Sequence, residues 1–159
     1  MNLNAKKLAK LDNKLLKKAN LTGITNTSAL KAVHTAAIAA AGVAASPIPF
    51  TDATLLVPIQ SAMIAAIYRA YGNRISDGAI KGVLTAIATT SVARSVAGNI
   101  IKIIPGVGTV LGATMNASVA VAFTELMGLS IAAAFENDEI DNTNDLLNTI
   151  SKATGFFKK

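Results

Sequence analysis

The chain has 159 residues, of which 52% are hydrophobic and only 15% charged; it carries a formal net charge of +6 and no cysteine. That length fits one domain with a real core, the charged fraction lies below the roughly 25% of ordinary soluble domains, and the missing cysteines exclude disulfides and thiolate metal sites. With aromatics at 4%, the apolar content is Ala, Ile, Leu and Val, so a core must rely on close backbone approach, in a membrane-seeking or tightly oligomeric protein.

The first element is basic. Before residue 32 stand seven lysines (Lys6, Lys7, Lys10, Lys14, Lys17, Lys18, Lys31) against Asp12, which is the whole net charge; afterwards eight basic and eight acidic residues cancel. At 100° per residue, Leu8, Leu11 and Leu15, with Ala5, Ala9, Leu16 and Ala19, share one arc of a helix over 5–19. The six lysines up to Lys18 share the other, and Asp12 falls within the apolar arc. Opposed Leu and Lys arcs favour an anionic membrane surface. Docking onto the acids of 136–145 is the intramolecular alternative. Nucleic acid is disfavoured, because no aromatic or arginine joins the lysines. No compact apolar run with a small-residue cleavage site opens the chain, so no secretory signal is expected and the cytoplasm is the default compartment.

After a Thr/Gly/Asn-rich linker over 20–28, an apolar helix is expected at 29–46, uncharged after Lys31 apart from His34. Pro47-Ile48-Pro49-Phe50 stops it, since two prolines remove donors and fix a turn. Thr51 or Asp52 caps the next helix, to about Tyr71, with Pro58 kinking it or shifting its start. Gly72-Asn73-Arg74 breaks the chain, and Ser76 or Asp77 caps a third helix reaching about Ile104. Pro105-Gly106-Val107-Gly108 turns into a fourth at 109–135. An acidic loop (Glu136, Asp138, Glu139, Asp141, Asp145) leads to a last helix at 145–154, and the tail is Gly-Phe-Phe-Lys-Lys.

The fourth helix holds the most distinctive pattern. Residues 103–124 carry no charge, and Gly108, Gly112, Asn116, Ala120, Thr124, Gly128 and Ala132 recur every fourth position as one small-residue ridge, suited to close helix contact in water or lipid. The uncharged helix proper, 109–124, is short of the ~20 residues a simple span needs. Each half of the chain reads as helix, proline turn, helix. The fold class predicted is all-α: two apolar helical hairpins packed as a bundle over 29–135, preceded by the basic amphipathic helix and linker at 1–28 and followed by the acidic loop and C-terminal helix at 136–159.

Enzyme signatures are missing. His34 reads as a packed or surface residue, and no HExxH or GxSxG occurs. The glycines of 106–112 lack the lysine of a P-loop and follow a helix rather than a strand. A calcium loop from Asp141 fails, with Leu146 where the turn glycine belongs and Lys152 where the bidentate glutamate belongs. No cofactor or metal is expected. Charges within the apolar helices (Arg69, Arg94, Lys102, Glu125) need partners or water; the reading is a structural pair or a water-facing site, with Glu125 in reach of a long arginine such as Arg94 from another helix or subunit. Phe156 and Phe157 would make a second interfacial anchor.

Residues 36–60, AAIAAAGVAASPIPFTDATLLVPIQ, with MIAAIYRAYG after them and ARSVAGNIIKIIPGVGTVLGATMNASVAVAFTELMG later, resemble the GTPase-associated helical domain of unknown function found C-terminal to Era-like GTPases and in certain bacterial inner-membrane proteins. The resemblance spans about residues 29–135 and implies a membrane-proximal, non-catalytic helical module beside a GTPase. This chain has neither P-loop nor NKxD, so a GTPase would act in trans. The positions implied are Pro47, Pro49, Phe50, Asp52, Arg94, Pro105, Gly106, Gly108 and Asn116. The expected function is a non-enzymatic, self-associating helical module on the cytoplasmic face of a membrane, a homo-oligomer that binds no nucleic acid. The alternatives are a soluble helical interaction module and a small pore-forming effector.

Overall fold

A computed structural model describes residues 23–44, 52–89 and 113–155, with side chains at 23–43, 56–87 and 121–153. Among the described residues the fold is all-helical: α1 (Thr27–Ala44), α2 (Asp52–Ala70), α3 (Asp77–Thr89), α4 (Ala113–Glu136) and α5 (Thr143–Gly155). The basic N-terminal helix, both proline turns and the Phe-Phe tail lie outside the described residues.

Side-chain caps set the helix starts. Asn26 Oδ1 accepts the Ala29 N–H at 3.0 Å, opening α1 two residues earlier than its apolar periodicity indicates. Ser76, rather than Asp77, caps α3 by accepting the Ala79 N–H at 3.2 Å. Asn142 Oδ1 accepts the N–H groups of Asn144 and Asp145 at 2.8 and 3.1 Å, while Asp145 Oδ2 accepts that of Asn142 at 3.1 Å. This is a reciprocal capping box. α2 begins at Asp52, ahead of Pro58, and runs through the proline, whose ring is on an exposed position.

Two helix–helix corners share one geometry. At the end of α2, Gly72 N–H donates to Arg69 C=O (3.0 Å) and Asn73 N–H to Tyr68 C=O (2.8 Å), with Gly72 at φ +75°. At the end of α4, Asp138 N–H donates to Phe135 C=O (3.2 Å) and Glu139 N–H to Ala134 C=O (2.8 Å), with Asp138 at φ 54°. Both are Schellman closures, which require a left-handed residue after the helix. In both, the capping residue of the next helix follows four positions later, at Ser76 and Asn142. The buried positions after those caps then coincide: Ile80, Leu84 and Ile87 on α3 and Leu146, Ile150 and Ala153 on α5 stand four, eight and eleven residues beyond. The second helices of the two corners therefore enter the core in the same register, and they pack on each other.

α4 is the central helix. It packs on α1, α2 and α5, and from Val121 to Phe135 every residue is buried except the half-buried Phe123 and Ala133. A helix surrounded by neighbours needs apolar residues on all sides, which accounts for its lack of a polar stripe. The common core joins Val33 of α1, Ile64 and Ile67 of α2, Ile80 of α3, Met127 and Ile131 of α4, and Leu146 and Ile150 of α5. At roughly 1.5–3 kcal/mol for each such side chain buried, this cluster is the main favourable contribution to the fold.

Candidate functional site

α1 and α2 run antiparallel: Asn26, just before α1, donates through Nδ2 to the C=O of Ala70 at the end of α2 (2.8 Å). Their outer faces form an open groove of about 470 Å³. Five alanines line it (Ala32, Ala36 and Ala39 from α1, Ala62 and Ala66 from α2), with Thr35, Ile59 and Met63. Lys31, one turn into α1, and Arg69, in the last turn of α2, stand at the same end. Besides these two cations, the ionisable side chains described on the two helices are His34 and the buried Tyr68. Ile38, on α1, is 74% exposed, and no other large hydrophobic among the described residues is comparably open. The structure leaves this part of the alanine surface open.

Beside this face, α1 meets α4 through an ionisable pair. His34 Nδ1 lies 3.1 Å from Glu125 Oε1, with 55% of the histidine side chain exposed and 7% of the glutamate. The geometry suits Nδ1–H donating to the carboxylate, so that the imidazole edge shields a buried acid from water. Sequence reasoning offered Glu125 an arginine; the structure gives it His34. Arg94 lies outside the described residues. A single histidine in a helix uncharged after Lys31 was the available signal, but nothing local linked it to a residue 91 positions away.

A second polar cluster locks the opposite side of the α1 start. Glu136, the last residue of α4, accepts the backbone N–H of Thr25 (3.0 Å) and of Asn26 (3.2 Å), the Thr25 hydroxyl (3.2 Å to each oxygen) and the Tyr71 hydroxyl (2.9 Å). The Tyr71 hydrogen bond, then the Thr25 backbone bond, hold its carboxyl below the usual carboxylate value. Burial, and then that same carboxylate, push the Tyr71 phenol up from its ordinary value. The Tyr71 ring stacks on Phe135 (centroids 4.9 Å, 12°), and Tyr68 meets the same ring edge-on (4.8 Å, 89°). One carboxylate thus ties together the start of α1 and the ends of α2 and α4. The sequence placed Glu136 in a solvated acidic loop; it belongs instead to the end of the central helix.

These clusters offer hydrogen bonding and the shielding of a buried acid. No group of three or more His, Cys, Asp or Glu that could hold a metal occurs among the described residues. Of the residues singled out from the sequence, Glu125 is buried, Thr124 and Ala132 of the ridge are fully buried, and Gly128 is buried between them. Asn116 and Ala120 lie on α4, and Asp52 opens α2, but their side chains are outside the described set. Lys6, Lys7, Leu8, Lys10, Leu11, Lys14, Leu15, Lys17, Lys18, Pro47, Pro49, Pro105, Gly106, Gly108, Gly112, Phe156 and Phe157 lie outside the described residues altogether.

A family model described as Domain of unknown function (DUF697) matches residues 8–156. Neither the comparison with curated proteins nor that with solved structures gives a match.

Proposed function

The chain belongs to the DUF697 family of domains of unknown function, and from that premise we propose that it is a non-enzymatic helical module that works at an anionic membrane surface, self-associates, and acts beside a GTPase in trans. The observation that carries this reading is the outer face of α1 and α2, where Thr35 is the one polar residue among the alanines, Ile59 and Met63 that line the groove beyond Lys31 and Arg69, together with the open Ile38 side chain on α1. A face with so little charge is an interaction surface, and cations at one of its ends suit an anionic interface. The Lys-rich amphipathic pattern of 5–19 supplies the second attraction that stable surface binding needs. Among the described residues no helix is long and apolar enough to cross a membrane, so for α1 to α5 the proposal is contact with the bilayer surface.

Self-association draws on the glycines of 108–112, and the GTPase in trans on the family resemblance. Flotation of the purified chain with vesicles tests the central claim. Binding should require anionic lipid, disappear when Lys6, Lys7, Lys10, Lys14, Lys17 and Lys18 become Gln, and weaken about tenfold on Ile38→Asp, the ~1.4 kcal/mol equivalent of part of one buried side chain. A detergent-free, monodisperse protein that never floats would establish the soluble interaction module instead, and release of trapped dye would establish the pore-forming reading.

A further inference from the structure

We propose that the groove between α1 and α2 is a binding site for a single-chain anionic lipid, its carboxylate or phosphate head held by Lys31 and Arg69 and its acyl tail lying along the alanine floor. The proposal deepens the membrane reading and takes the lipid source from it, but the site is testable without a membrane.

Three features converge. The first is shape: about 470 Å³ falls within the range of small-molecule sites. From Lys31 to Ala39 along α1 the groove extends about 12 Å at ~1.5 Å per residue, the length of a medium acyl chain. The second is polarity. Apart from Thr35 the lining beyond the two cations is apolar, and Lys31 and Arg69 stand at one end of it, a distribution that matches an amphiphile. The third is that both cations are exposed and make no ion pair among the described residues.

The floor is also adaptable. Met63 reaches it from the core side, and a thioether side chain with several rotatable bonds fits irregular apolar partners. A partner helix would meet the same alanines, but it would need a carboxylate at the one place where both cations converge. A free acyl anion satisfies that condition by its constitution.

Titration of the full chain with dansyl-undecanoate below its micelle concentration tests the site. The chain has no tryptophan, so dansyl emission can be followed directly. Saturable binding at one site per chain is expected, with at least tenfold weaker affinity for the uncharged methyl ester. Lys31→Gln with Arg69→Gln should weaken the anion to the level of the ester. Ala62→Phe with Ala66→Phe, at an exposed and a half-buried position of the groove wall, should abolish binding of both probes while far-UV circular dichroism stays unchanged. Affinity unaltered in either double variant, or equal for acid and ester, overturns the site. Flotation with intact anionic vesicles separates the two claims. Loss of probe binding in the wild type with flotation retained removes the groove alone; loss of flotation with probe binding retained removes the recruitment reading alone.

Discussion

Gly128 of α4 faces Val33 of α1 so closely that a Cβ on the glycine would lie 2.7 Å from Val33 Cγ2, and 2.8 Å from Met63 Sδ of α2. Three helices converge on that one missing side chain. Val33 is fully buried and β-branched, with little rotamer freedom, so it decides the fit; Met63 can turn its chain aside.

Gly128→Ala is therefore expected to destabilise the fold even though alanine is the better helix former. Propensity favours Ala by ~1 kcal/mol, whereas overpacking costs ~1–3 kcal/mol, leaving a net loss of up to about 2 kcal/mol by that balance. Denaturant unfolding measures it. Combining the change with Val33→Ala should cost less than the sum of the two single losses, since the cleared methyl groups admit the new Cβ. Strict additivity would show that the two positions are not in contact.

The Glu136 cluster makes stability depend on acid pH. A carboxyl held below its ordinary value contributes stability above the unfolded pKa, and that contribution is lost as pH falls through the folded value. The thermal midpoint should drop as pH is lowered from about 5, the upper edge of carboxylate titration. Glu136→Gln should lower the midpoint at pH 7 and flatten the acid limb. Tyr71→Phe keeps the stack on Phe135 but removes one donor, so it should reproduce part of both effects. Parallel acid limbs in wild type and Glu136→Gln would assign the linkage to other carboxylates.

Asp138 closes α4 with φ 54° and carries a negative charge at a helix C-terminus. Both features are unfavourable: a left-handed L-residue costs up to ~1–2 kcal/mol, and the helix dipole disfavours an anion there. Asp138→Gly should raise stability by about 0.5–1 kcal/mol, the relief being partly offset by the glycine's greater freedom when unfolded. Asp138→Val should lower it. A neutral glycine variant would mean that the corner relaxes away from the left-handed conformation.

Thr124 lies at zero exposure, and its hydroxyl has no hydrogen-bond partner among the described residues. An unsatisfied buried hydroxyl costs ~1–3 kcal/mol, and an isosteric apolar group removes that cost. Thr124→Val should stabilise the fold by about 1 kcal/mol, read from the same unfolding curves. A destabilised Thr124→Val would reveal that the hydroxyl is satisfied.

Periodicity revealed the helices well and their contacts poorly. Ser76, the uncharged run after Lys31 and the break at Gly72 were each visible, because a cap, a stripe and a left-handed turn depend on residues within a few positions. The Schellman closure at Asp138 was not, since aspartate is an uncommon substitute for glycine there. His34 with Glu125, and Thr25 with Glu136, stand 91 and 111 residues apart, and no pattern in a single chain points across such a separation. The ridge lay between: at Gly128 its small residue meets Val33 and Met63, while Gly108, Gly112 and the side chains of Asn116 and Ala120 lie outside the described set.

By itself the sequence determined that this is an all-helical chain, with its charge gathered at the N-terminus and a central segment too apolar to face water. Those properties follow from backbone propensity and from the transfer cost of each side chain, which act locally. Tertiary structure alone decided that α4 is surrounded by its neighbours, that Glu136 is a tie between three helix ends rather than a loop residue, and that Lys31 and Arg69 meet at the mouth of one groove. Each of these depends on which helices pack together and at what register, and that is set by the summed fit of many weak contacts across the bundle.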